Sequence, residues 1–257
     1  MSVMNSEAPG SIDAEVGDLA GQQTLLACWN ALAGLSPGAR LVQTEGAAVA
    51  VFPSWAPLNN AVLVGRHDQA SEMATADAVR RVYAAAGVPA WALWRSSPTA
   101  DLDGADARAK LGALTRDTTT LVMQLSMPPG LEFHEAVIPA SIDTVARFDE
   151  ESRMTSADVG TPDDVPGLYG WAILHEGEVA SMAWSYEYLG ECGVYAVETL
   201  PRFRRRGLAT SLMRHLLAAA QERGAQTATL QSTRMGQPLY ASLGFTPQGR
   251  YEEWIWR

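Results

Sequence analysis

Four of the five positions from 202 to 206 are arginines, namely Arg202, Arg204, Arg205 and Arg206, and Gly207 follows directly. Upstream, Gly193-Val194-Tyr195-Ala196-Val197-Glu198-Thr199 is rich in β-branched and aromatic residues and reads as a strand stopped at Pro201. Downstream, Leu208, Leu212, Leu216 and Ala219 recur at helical spacing, with Met213, Leu217 and Ala220 beside them, so the segment to Arg223 reads as an amphipathic helix. A strand that turns through glycine into a helix is suited to hold an anion. The first-turn N–H groups have no helical partners, the helix dipole places partial positive charge there, and the arginines add full charge. Binding of a polyanion is the expected chemistry.

The motif Arg204-x-x-Gly207-x-Ala209 resembles the R/Q-x-x-G-x-G/A loop of the GNAT superfamily of N-acetyltransferases, which cradles the pyrophosphate of acetyl-CoA. Thr199-Leu200-Pro201-Arg202-Phe203-Arg204 is similar to the family's approach to that loop. A second block, Leu239-Tyr240-Ala241-Ser242-Leu243-Gly244-Phe245, is similar to its L-Y-x-x-L-G-F helix end, and a strand-like Gln226–Ser232 lies between the two. The resemblance covers roughly Glu132 to Arg257. It implies an α/β (α+β) fold, a mixed and mostly antiparallel sheet flanked by helices.

The resemblance also implies acetyl-CoA as co-substrate, with no metal. Residues Arg204, Arg205, Arg206, Gly207, Leu208, Ala209 and Thr210 would hold its diphosphate. The edge formed by Val197, Glu198 and Thr199 would pair with its pantetheine, and an N–H at the Val197 position would face the thioester oxygen. Tyr240 matches the tyrosine beside the sulfur, where it would stabilise the leaving thiolate; its structural alternative is a core tyrosine. Thr233 stands where the family often has Asn, a departure that weakens the expected cofactor contact there. Pro238 also departs from the pattern and fits best in the first turn of its helix. An alkylamine acceptor has a pKa near 10.4, so a general base is useful. Glu191, slightly favoured, and Glu198 are the candidates; in an unbroken strand they face opposite sides, which a bulge would change.

The bulk composition fits a soluble globular chain, 47 % hydrophobic and 19 % charged. A net charge of −10 argues against nucleic-acid or anionic-membrane partners and suits a cationic acceptor, though it also serves solubility. Cys28 and Cys192 lie far apart without a ligand pattern and read as buried free thiols; the four histidines show no metal-ligand spacing. Neither a long apolar run nor a leader pattern is present, so a cytoplasmic location is expected.

Three segments are expected: a loose arm over 1–19, a first half over 20–129, and a second half over 130–257 that begins after Pro128-Pro129-Gly130. In the first half, helices are expected over Gln22–Leu35, Ser71–Ala86 and Ala105–Leu114, and strands over Arg40–Phe52, Asn60–Val64, Ala90–Arg95 and Thr118–Met127. In the second, a strand at Phe133–Ile138, a helix over Ser141–Met154 and a hairpin about Glu176-Gly177-Glu178 precede the arginine loop, and a Tyr251–Trp256 strand ends the chain.

Both halves run strand, helix, "Leu-Gly", strand, at Leu111-Gly112 and Leu243-Gly244, which suggests two tandem GNAT-like domains. The first-half counterpart of the loop, Gly65-Arg66-His67-Asp68-Gln69-Ala70, carries an aspartate of the wrong sign for a phosphate, so this half is read as degenerate and without a cofactor site. The function expected is acetyl-CoA-dependent transfer to a primary amine of a small molecule or peptide; the alternative is a non-catalytic acyl-CoA-binding regulatory module. Trp171, Trp184, Tyr186 and Tyr188 line the acceptor or serve ordinary sheet packing, and loops near Met154–Gly167 and Tyr186–Glu191 would set acceptor choice.

Overall fold

The computed structural model describes residues 19–65, 67–102, 111–140, 144, 148 and 165–257. The first half contributes α1 (Gln22–Ala33), β1 (Arg40–Thr44), β2 (Ala47–Val51), β3 (Asn60–Leu63), α2 (Gln69–Ala85), β4 (Trp91–Ser97) and β5 (Thr115–Ser126). From the second come β6 (Val137–Pro139), β7 (Leu168–His175), β8 (Glu178–Tyr188), β9 (Glu191–Thr199), α3 (Leu208–Glu222), β10 (Thr227–Ser232), α4 (Gln237–Ser242) and β11 (Thr246–Trp256).

Two expected strands are corrected. Arg40–Phe52 is a hairpin, because Gly46 at φ 84 turns the chain between β1 and β2. Phe133–Ile138 is extended only from Val137, whose N–H bonds back to the His134 carbonyl in a turn. Most of the expected helix Ser141–Met154, its Ser141 cap and Asp143, the acceptor loop from 154 to 164, most of the arm and residues 105–110 lie outside the described residues. The described end of the expected helix Ala105–Leu114 is instead a tight turn, in which the Leu114 amide bonds to the Leu111 carbonyl at 3.0 Å before β5 begins. Within the expected helix Ser141–Met154, Thr144 and Phe148 are helical and buried. The hairpin at Glu176-Gly177 forms as expected, with both residues at positive φ, 53 and 83.

Among the described residues, eleven strands join one sheet in the order β1-β2-β3-β4-β11-β5-β10-β9-β8-β7-β6. The two halves repeat one pattern. β1-β2-β3 and β7-β8-β9 are antiparallel, β3–β4 and β9–β10 are parallel, and α2 and α3 make the corresponding crossovers. Each half ends by crossing into the other: β5 pairs antiparallel with β10, and β11 pairs antiparallel with β4. β5 and β11 also pair with each other and close the seam.

Helices cover both faces. On one, α3 buries Leu212, Met213, Leu216 and Leu217 against Leu121, Met123, Val194 and Leu230, as its spacing demands. On that same face α2 sets Val79 and Tyr83 against Val49, Val51 and Leu93. Alternate strand residues point the other way, and there α1 covers Ala48, Phe52, Val62, Val122 and Tyr251. The same helix reaches the second half through Ala27 and Cys28, which meet Leu168 and Tyr186. Both cysteines are free and buried, and burial pushes the Cys28 thiol up to about 12.

Candidate active site

The parallel ladder between β9 and β10 lasts for Glu191, Cys192, Gly193 and Val194 and then stops. Beyond it, β10 stays with β5, pairing Gln231 with Val122 and Ser232 with Leu121. Among the described residues, Tyr195–Thr199 therefore have β8 on one side and no strand on the other. A bulge lies at the point of divergence: Tyr195 pairs with Trp184 and Glu198 with Met182, so Ala196 and Val197 together oppose Ala183. Ala196 sits at φ 49. Such an extra residue bends and twists its strand, here away from β10. Sequence reasoning allowed for the bulge without locating it, since alanine is an uncommon residue at positive φ.

The bulge also restores parity, so Glu191 and Glu198 oppose Tyr188 and Met182 on one face. Glu198 lies on the open edge. Glu191 lies four residues before Tyr195, about 13 Å along a strand, and its Oε1 accepts from the Thr229 hydroxyl at 3.0 Å. Ser181 Oγ donates to the Glu198 carbonyl at 2.8 Å and is 2.8 Å from the Thr199 hydroxyl, tying the end of β9 to β8.

From Thr199 the chain passes through a 3-10 turn, Pro201–Phe203, into the arginines. Arg205 has φ 62 and Gly207, the N-cap of α3, has φ 78. No side chain caps this helix, and the first amide bonded back is that of Ser211, to the Gly207 carbonyl at 3.0 Å. The N–H groups from Arg205 to Thr210 have no backbone acceptor among the described residues. A Cβ built on Gly207 meets open space. A diphosphate fits such a row of free donors at a dipole's positive end.

Three of the arginine side chains make contacts within the chain that their spacing did not suggest. Arg204 Nε donates to the Thr199 carbonyl at 2.9 Å, and Arg202 pairs with Glu178 at 2.9 Å. Arg206 lies 2.9 Å from His175 Nε2, and both Arg202 and Arg206 stack on Phe203. These contacts shape the turn. Arg205 is exposed and makes no such contact among the described residues. Sequence spacing gave no sign of the His175 contact, which depends on the β7–β8 hairpin folding beside the loop.

The corresponding start of α2 is closed by its own carboxylate. Asp68 Oδ1 accepts from the Ser71 amide at 2.8 Å while Ser71 Oγ accepts from the Asp68 amide at 2.9 Å, a reciprocal cap that lowers the Asp68 pKa. Asp68-x-x-Ser71 was the readable signal. The parallel pairing of β3 with β4 stops at Trp94, and the next residue, Arg95, is bonded to Glu72 of α2 at 2.9 Å. Gln22 of α1 donates to the Leu63 carbonyl at the end of β3 at 3.4 Å.

Tyr240 is 7 % exposed and packs edge-on to Phe245. Burial pushes its phenol up to about 12, and its hydroxyl has no partner among the described residues. Pro238 falls in the first turn of α4. Thr233 makes the turn that leads into that helix: its carbonyl accepts from Gly236 at 3.0 Å and its hydroxyl from the same amide at 3.3 Å. Trp171 donates to Ser185 at 3.2 Å in the core, and Tyr186 is buried beneath α1. His215 Nδ1 lies 3.0 Å from the His134 backbone carbonyl, and His67 Nε2 lies 2.8 Å from the Val64 carbonyl.

Residues 139–245 match the model of the acetyltransferase (GNAT) family. No curated protein sequence matches the chain. Among solved structures, a GCN5-related N-acetyltransferase from Kribbella flavida aligns over 93 % of this chain and 96 % of its own, with TM-score 0.63 and 18 % identity. A putative acetyltransferase of the GNAT family from Novosphingobium aromaticivorans aligns over 88 % and 94 %, with TM-score 0.58 and 19 % identity. A tandem GNAT protein from the clavulanic acid biosynthesis pathway aligns over 91 % and 93 %, with TM-score 0.52 and 14 % identity. At these identities the likeness is one of fold. Residues 139–245 are thus a domain of the acetyltransferase (GNAT) family, whose chemistry is acyl transfer from acyl-CoA, and the whole chain has that family's fold.

Proposed function

We propose that the second half transfers an acetyl group from acetyl-CoA to a primary amine of a small molecule or peptide, and that the first half has no acyl-CoA site. The contrast between the two crossover helices carries this reading: α2 begins under the Asp68–Ser71 cap, whereas α3 begins with unpartnered amides at Gly207. A helix start contributes about 0.3–1 kcal/mol to a bound anion, up to about 2 when partly buried. Micromolar binding needs about −8 kcal/mol, so several amides must act together with Arg205 and the free nitrogens of Arg204 and Arg206.

The co-substrate supplies an activated acetyl thioester. In this chain the Val197–Thr199 edge would receive its pantetheine, and a Val197-region amide would face the thioester oxygen. Glu198, on the open edge, is the better placed base; Glu191 lies at the closed end of the ladder. Tyr240 would donate a hydrogen bond to the departing sulfur. Full proton transfer from a phenol near 12 to a thiolate near 8.5 is uphill by about 5 kcal/mol, so hydrogen bonding is its role. Thr233, whose hydroxyl already accepts from the Gly236 amide, would reach the co-substrate with its O–H donor or its second lone pair.

The test is calorimetric titration of acetyl-CoA followed by thiol release across a panel of amines. Binding with amine-dependent release supports the transferase. Binding without release favours the regulatory module, and absence of binding removes both.

A further inference from the structure

A cavity of about 370 Å³ lies on the seam between the halves, at the closed end of the β9–β10 ladder. Its walls include Gly21, Gln23 and Thr24 at the start of α1, and Tyr188, Leu189 and Glu191 from the β8–β9 turn. Its volume is within the range of small-molecule sites, roughly 300–1,000 Å³.

The chemistry of these walls is two-signed. Gly21 caps α1 at φ 78 without a side-chain cap, and the amides of Gln23 and Thr24 have no backbone acceptor among the described residues. Thr24 is 3 % exposed, and its hydroxyl has no hydrogen-bond partner among the described residues. It is not sealed in the core either, so the small part of Thr24 left open faces the cavity. A hydroxyl with this opening takes its partner from the cavity side. Facing these donors, Glu191 has Oε1 taken by Thr229, which leaves Oε2 to accept. Leu19, Tyr188 and Leu189 add apolar surface, and Leu189 is 77 % exposed.

We propose that this cavity binds a free α-amino acid. The ligand carboxylate takes the Gln23 and Thr24 amides and the Thr24 hydroxyl at the positive end of α1. Its ammonium takes the open oxygen of Glu191, a charge-assisted bond. Its side chain lies along Tyr188 and Leu189. A simple amine leaves the amides and the hydroxyl unsatisfied, and a simple acid leaves Glu191 unpaired and repels it. The site is separate from the open edge of β9 and does not depend on acyl transfer.

The full-length chain, without CoA, is screened by thermal shift against the twenty standard L-amino acids at millimolar concentration, and the strongest is titrated by calorimetry. Its decarboxylated amine and its deaminated acid are then titrated in the same way. Each analogue is expected to bind at least about tenfold more weakly, as loss of one charged hydrogen bond requires. Glu191→Gln is expected to weaken the amino acid by about tenfold and Thr24→Val by severalfold, with far-UV dichroism unchanged. Should Glu191→Gln not fold, the analogue series and Thr24→Val decide alone. The proposal is overturned if no amino acid binds, if both analogues match the amino acid, or if neither folded variant changes its affinity. Acetyl-CoA titration of the same samples reports separately on the α3 site.

Discussion

Replacing Gly207 by alanine separates two effects that this glycine combines. At φ 78 and ψ 0 it lies in the left-handed region, where an L side chain costs about 1–2 kcal/mol. Its Cβ position is open, so no packing clash is added. For a chain of this size the strain lowers Tm by about 2–8 °C. The second effect is on the ligand, because the new methyl stands beside the amides of Arg205 to Thr210. Displacing one charge-assisted bond costs about 1.5–3 kcal/mol, so acetyl-CoA affinity falls roughly ten- to a hundredfold. Gly87→Ala is the matched control, at φ 69 and also facing open space, in the first half. Calorimetric titration and thermal melts of both variants are the assay. Both should lose similar stability and only Gly207→Ala should lose affinity. An unchanged acetyl-CoA Kd in Gly207→Ala, or equal weakening in Gly87→Ala, refutes the assignment of the diphosphate to this loop.

Separate expression of 1–129 and 130–257 removes β5 from beside β10 and β11 from beside β4; neither piece is expected to unfold cooperatively, whereas co-expression restores a cooperative melt. A well-dispersed NMR spectrum of 130–257 alone contradicts this. Tyr240→Phe is expected to lower kcat by about ten- to a hundredfold with little change in KM for acetyl-CoA. Because the phenol titrates at about 12 and is protonated below that, the wild-type pH–rate profile shows no alkaline loss from this group below roughly pH 11. Glu252 is buried with Arg250 at 2.9 Å and Arg95 at 3.7 Å. Glu252→Gln is expected to cost about 1.5–3 kcal/mol of stability, read as a lower urea midpoint, since it weakens the buried charge-assisted hydrogen bonds to Arg250.

The arginine loop, α3, the Glu176-Gly177 hairpin and the helix carrying Tyr240 were legible because each is specified locally, by turn residues and a 3.6-residue apolar period. The β1–β2 hairpin was missed because Glu45-Gly46 is a short turn between Arg40–Thr44, which holds β-forming Leu41, Val42 and Thr44, and the apolar run Ala47–Phe52. The intramolecular contacts of Arg204 and Arg206 were not legible for a different reason. A charged run advertises charge, while the acceptors that fix it, the Thr199 carbonyl and His175, are set by the fold.

The exchange of β5 and β11 is the feature that no local pattern encodes. The repeated order strand, helix, Leu-Gly, strand is compatible with two closed sheets as well as with one shared sheet. What favours the shared sheet is what meets across the seam. Tyr251 of β11 faces Trp94 of β4 at 5.5 Å and bonds to Gln22 of α1 at 3.3 Å, and Arg250 holds the carbonyls of Thr99 and Asp101 at 3.3 and 3.0 Å. These are first-half partners for second-half side chains, each buried or ionically paired. The same seam carries α1 over both cores and brings its first turn to Thr229 of β10, where a Cβ on Gly21 would lie 2.5 Å from the threonine hydroxyl. The first half thus has a structural role in the second half's site: it supplies the strand that flanks β10 and the helix that covers β9, the two strands whose divergence opens the candidate site.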